Sequence, residues 1–108
     1  MAKWLFLVYT DCADPSREAE FNEWYNGTHL PDVLETPGFI RATRYLNTDP
    51  SAGPGKFLAT YEIESDDIDQ TMTTLKERLA KLRERGRYSD LLVRISWATY
   101  RDISSLTR

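Results

Sequence analysis

The run Trp4-Leu5-Phe6-Leu7-Val8-Tyr9 is apolar at every position, so a strand built from it needs cover on both sides. A strand with one face in water alternates apolar and polar residues, and this one does not. The pattern predicts a central strand over residues 3–10, with Trp4, Phe6 and Val8 on one side and Leu5, Leu7 and Tyr9 on the other. A chain holding such a strand must build layers above and below it.

The rest of the chain supplies few layers. Asp14 followed by Pro15 suits a helix cap with proline at the first turn, and Ala19, Phe21, Trp24, Tyr25 and Thr28 share one face at helical spacing. Asn26-Gly27 is the type of pair that stops a helix, so helix one is expected to end there. Pro31 opens a short turn through Glu35, and Pro37-Gly38 leads into a second strand over residues 39–46. The stretch 47–55, rich in proline and glycine, reads as a long and mobile hairpin loop. Strand three follows over 56–63, with Phe57, Ala59, Tyr61 and Ile63 on one side. Helix two is capped by Ser65 or Asp66, carries an apolar stripe of Ile68, Met72, Leu75, Leu79 and Leu82, and stops at Gly86. Strand four covers 91–100, with Leu91, Val93, Ile95 and Trp97 in one row and Leu92, Arg94, Ser96, Ala98 and Tyr100 in the other.

The order β-α-β-β-α-β in 108 residues predicts one α+β domain spanning the chain. It is a ferredoxin-like sandwich, a four-stranded antiparallel sheet with both helices on one face. Two helices cover one face of a sheet. The other face, apolar along strands one and four, is expected to be covered by a second copy of the chain, giving a homodimer.

Composition removes several classes of function. The balance of 14 basic and 17 acidic residues gives a net charge of −3, and dispersed basic residues argue against nucleic acid as a partner. The apolar run at the start is too short for a membrane span or a signal-peptide core, and the chain reads as cytoplasmic with no membrane partner. Cys12 is the single cysteine, so no internal disulfide forms, and a plain thiol suits it better than a nucleophile because no second histidine could serve it. One histidine with scattered carboxylates offers no clustered ligand set for a metal. Its place beside a helix end argues against haem, and Gly53-Pro54-Gly55 has a proline where a phosphate cradle needs a donating amide.

His29 is the only histidine and lies in the densest chemical segment, Trp24-Tyr25-Asn26-Gly27-Thr28-His29-Leu30-Pro31. An imidazole that titrates near pH ~6.5 can pass a proton either way at neutral pH. It can equally cap a helix by bonding the last carbonyls. Phe21-Asn22-Glu23-Trp24-Tyr25-Asn26, His29-Leu30-Pro31-Asp32-Val33-Leu34, Pro37-Gly38-Phe39 and Phe57-Leu58-Ala59-Thr60-Tyr61-Glu62 together resemble the EthD-like family of the dimeric α/β-barrel superfamily. That resemblance spans nearly the whole chain and implies a barrel dimer with His29 at a pocket between sheet and helices. It also implies a choice of activities: cyclase, dehydratase or isomerase chemistry, or cofactor-free oxygenation.

The expected enzyme is therefore a lyase or isomerase acting without a cofactor on a small, largely apolar carbonyl, aromatic or polyketide-like compound. His29 is its proton shuttle. Tyr25 is a hydrogen-bond donor to a developing enolate, and Asp11 at the end of strand one could orient His29. Tyr9, Trp24, Asn26, Tyr61 and Trp97 are the candidate substrate-binding residues, each of which also reads as packing or helix-end structure. A cofactor-free monooxygenase and a non-catalytic ligand-binding dimer are the alternatives.

Overall fold

The computed structural model describes residues 1–49 and 51–108. Four strands, β1 (Lys3–Cys12), β2 (Phe39–Leu46), β3 (Phe57–Glu64) and β4 (Leu92–Arg101), form one antiparallel sheet in the order β2-β3-β1-β4. The doubly apolar β1 is central, as its sequence requires. Helices α1 (Glu18–Trp24), α2 (Leu30–Leu34) and α3 (Ile68–Glu84) supply the other layer. This is the ferredoxin-like α+β arrangement.

The core lies between sheet and helices. Phe6 and Val8 of β1 and Phe57, Ala59, Tyr61 and Ile63 of β3 meet Phe21, Tyr25 and Val33 from the first helical layer and Leu75, Leu79 and Leu82 from α3. These are the residues that strand alternation and helical spacing assign to one face. Asp14 caps the entry into Pro15–Arg17 by accepting from the Ser16 amide, and Asp67, one residue beyond the expected caps, accepts from Gln70 N at the start of α3. Gly86 ends α3 with φ +73°, the left-handed stop expected there.

Three local features add to the sequence reading or depart from it. β1 continues through Asp11 and Cys12, which pair with Val93 and Leu92. The loop before β3 is stitched to itself: Asn47 Nδ2 donates to the carbonyls of Ala52 and Gly55, and Asp49 Oδ1 accepts from Ser51 N and Oγ. Pro50, within the stretch expected to be mobile, lies outside the described residues. Finally, Asn26-Gly27 does not stop the helix. The chain runs on from α1 through a π-helical turn, Tyr25–His29, into α2, with Leu30 N donating five residues back to Tyr25 O.

Pro31 explains that turn. In a regular α-helix its ring would press on the carbonyl four residues earlier, and it has no N–H to give. A widened turn just before the proline relieves the clash and keeps the helical direction. Gly27, expected to adopt a stop conformation, has no positive φ.

β4 holds a second irregularity. Tyr9 pairs with Ser96 while Thr10 pairs with Arg94, so Ile95 is an extra residue, a β-bulge. The bulge changes the alternation of the strand. Arg94 and Leu92 lie on the helix side together with Trp97, and not in the opposite row where unbroken alternation puts them.

Candidate active site

His29 belongs to the π turn, and that turn decides its neighbours. Residues five apart on an α-helix diverge by about 140° around the axis, whereas a π turn stacks them. The indole of Trp24 accordingly lies over the His29 imidazole, centroids 4.8 Å apart and planes 19° from parallel. Tyr25 meets the ring edge-on at 5.0 Å, and Tyr88, from the loop after α3, does so at 5.4 Å. His29 is 6% exposed, held in an aromatic cage.

The turn is anchored from several sides. Trp24 Nε1 donates to Arg87 O at 2.9 Å, and Arg87 clasps the Asp32 carboxylate at 2.6 and 3.1 Å. Arg78 of α3 donates to Asp32 O and Thr36 Oγ1. On the sheet side, Arg44 of β2 sits 4.3 Å over the Tyr25 ring and donates to Asn26 Oδ1 at 2.9 Å.

Beside the imidazole is an apolar cleft lined by Phe6, Val8, Val33, Leu75, Leu79 and Leu92. Tyr25, His29, Tyr61, Arg94 and Trp97 supply its polar and aromatic groups. The open space between these side chains is about 20 Å³, room for one water molecule. Arg94 is exposed, with its guanidinium 4.3 Å over the Trp97 ring.

Burial sets the protonation states. It pushes the His29 imidazole down from 6.5 to about 4, with the positive charge of Arg94 adding to the effect, Asp32 opposing it and Arg44 reinforcing it. His29 is therefore a neutral base at physiological pH. Burial also raises Tyr25 and holds Tyr61 well above the ordinary phenol range. Both phenols line the cleft beside the imidazole. Tyr88 Oη is buried without a hydrogen-bond partner.

Of the eight residues expected to form the site, the cleft brings together His29, Tyr25, Tyr61 and Trp97. Trp24 stands behind the imidazole as its backing. Asn26 is exposed and bonded to Arg44. Tyr9, alternating with the buried Val8 and Thr10, faces the opposite side of the sheet. Asp11 does not orient His29: its Oδ1 accepts from the Lys56 amide at 2.8 Å and fixes the start of β3. Cys12 Sγ donates to Asp14 O. Arg94 and Tyr88 belong to the site and were not expected. The bulge that aims Arg94 leaves no local mark in the sequence, and Tyr88 reads as an ordinary loop residue after a helix stop.

Among the described residues no group of three histidine, cysteine or acidic side chains is placed to hold a metal ion, and no helix is long and apolar enough to cross a membrane.

No family model and no curated protein matches the chain. Solved structures do. The chain is similar to HapK from Hahella chejuensis, at 10% identity and TM-score 0.65 over 97% of each chain. It is similar to a monooxygenase from the gene ActVA-Orf6 of Streptomyces coelicolor, solved in complex with nanaomycin D, at 22% identity and TM-score 0.61 over 99% of this chain and 93% of that one. SnoaB, a cofactor-independent oxygenase from Streptomyces nogalater, matches at 14% identity and TM-score 0.63 over 100% of both. These likenesses show the fold.

Proposed function

We propose that the chain is a cofactor-independent acid/base enzyme of EthD-like type that forms an enolate or phenolate from a small, largely apolar carbonyl or aromatic compound. The observation that carries this reading is a buried histidine held against an apolar cleft that also contains the Tyr25 and Tyr61 phenols. His29 takes the proton from an acidic C–H or O–H group. The Tyr25 hydroxyl donates to the oxygen on which charge develops. A base whose conjugate acid lies at about 4 is weak, which restricts it to substrates with the more acidic C–H or O–H groups, such as 1,3-dicarbonyl and phenolic compounds. Returning the proton to another atom completes an isomerisation, and loss of a hydroxyl or attack on a second carbonyl completes a dehydration or cyclisation.

The oxygenases among the solved structures support a second outcome from the same first step. There the anion reduces O₂, one oxygen atom becomes a carbonyl on the former CH₂ carbon, and the other leaves as water. We also infer that the enzyme works as a homodimer. The sheet face opposite the helices carries Leu5, Leu7, Leu58, Ala98 and Tyr100 by register, and a second copy would cover it.

The test is exchange of the acidic protons of 2-tetralone for deuterium, followed by NMR with and without oxygen. The wild type should exceed buffer, and His29→Gln should lose about 10²- to 10⁴-fold in rate with its fold intact. Oxygen uptake by the wild type would select the oxygenase outcome. Equal exchange by wild type and variant would refute His29 as the base.

A further inference from the structure

A second hollow adjoins the His29 cleft. It is lined by Arg83, Tyr88, Ser89, Asp90, Leu92 and Arg94, and Leu92 and Arg94 line the cleft as well, so the two spaces share these side chains as a wall. Its chemistry is unlike that of the apolar cleft. Arg83 comes from the last turn of α3 and lies 4.7 Å over the Tyr88 ring, while Arg94 lies over Trp97. Neither has a carboxylate within ion-pair distance among the described residues. Asp90, the one acid on the rim, faces Arg17 at 3.6 Å.

Two arginines stacked on aromatic rings keep their planar donor edges free, the arrangement suited to bidentate capture of a carboxylate. Between Arg83 and His29 lies Tyr88, whose hydroxyl is buried and unpartnered. A buried donor without an acceptor is costly unless a ligand completes it.

We propose that this hollow binds a carboxylate carried by the substrate, which is therefore an apolar carbonyl or aromatic acid and not a neutral compound. Arg83 and Arg94 grip the carboxylate, Tyr88 donates to it or to an adjoining oxygen, and the apolar body extends past Trp97 to His29. The proposal rests on the reading above for where the reacting carbon sits. The hollow opens on the helix side of the sheet, so pairing through the opposite face leaves it free.

Binding separates this idea from the His29 chemistry. The probes are 2-naphthoate and 2-naphthamide, equal in shape and different in charge, titrated by calorimetry into wild type, Arg83→Gln, Arg94→Gln and His29→Gln. Naphthoate should bind the wild type about tenfold or more tightly than naphthamide, the worth of a charge-assisted hydrogen bond. Arg83→Gln and Arg94→Gln should remove that difference, Arg83→Gln, which lines only the second hollow, should leave naphthamide binding unchanged, and circular dichroism should show both variants folded. The preference should shrink at high salt. His29→Gln should keep it, so loss of proton transfer in that variant leaves the present inference standing. Equal affinity for the two probes, a preference untouched by either arginine variant, or no binding of either probe would overturn it.

Discussion

Burying a histidine that stays neutral makes stability depend on pH, and the size of the effect follows from the site. His29 titrates at about 4 in the folded chain against 6.5 when free. Between those values the unfolded chain binds one more proton than the folded one, so folding is opposed as pH falls. Above pH 6.5 both forms are neutral and the burial carries no ionisation cost. Below about 4 both are protonated and the loss is complete. A tenfold change in proton affinity is worth about 1.4 kcal/mol, so the full loss is roughly 3 kcal/mol. Carboxylates titrate over part of the same range, and their contribution cancels in a comparison with His29→Gln. Urea unfolding of both proteins at half-unit steps from pH 7.5 to 4 should show the wild type losing stability relative to the variant, most steeply between 6 and 4.5. The Hε1 resonance of the single histidine gives the folded value directly. A midpoint near 6.5 in the folded protein, or a flat difference across the window, would show that the imidazole is solvated and that the cage described above does not hold.

Two further outcomes concern the scaffold. Ala98→Glu, on the sheet face opposite the helices, should convert dimers to monomers in sedimentation, because an unpaired buried charge costs about 3 kcal/mol or more; a wild type that is already monomeric at micromolar concentration would refute the proposed pairing. Gly38→Ala should lower the urea midpoint by the equivalent of about 1–3 kcal/mol, since Gly38 has φ +92° and an added Cβ would lie 3.0 Å from Glu64 O; an unchanged midpoint would show that the turn before β2 can relax.

The sequence made the architecture readable where local and global signals agreed. Alternation in β3 names Phe57, Ala59, Tyr61 and Ile63 as the buried side, and spacing in α3 names Leu75, Leu79 and Leu82. It misled where a local signal was overruled. Asn26-Gly27 has the chemistry of a helix stop, but packing of Tyr25 and His29 into the core keeps the chain helical, and Pro31 turns the excess residue into a π turn. Asp11 looked available to His29 because both flank the expected pocket mouth, and the unpaired Lys56 amide took its carboxylate. Tyr9 offers a phenol, but its alternation with the buried Val8 places it on the other face. The position of Arg94 was illegible for a different reason. Register between β1 and β4 is settled across nearly the whole chain length, and no residue near Ile95 announces the bulge.

That bulge also links two properties that mutation would ordinarily address separately. In an even ladder Arg94 and Trp97, three residues apart, would point to opposite sides; the extra residue at Ile95 lets one strand give its first half to the cleft in the opposite phase from its second. Deleting Ile95 would leave Arg94 opposite Thr10 and Leu92 opposite Cys12 in an even ladder, so both would keep the helix side. The opposite result comes from keeping Ile95 and losing the bulge: with Ile95 opposite Thr10, Arg94 and Leu92 turn outward and Val93 turns inward. The cleft then exchanges a cation for a branched alkyl group and the outer face gains a charge, without any substitution at a functional residue. The register of β4 on β1 is thus a determinant both of what the protein accepts and of what it associates with.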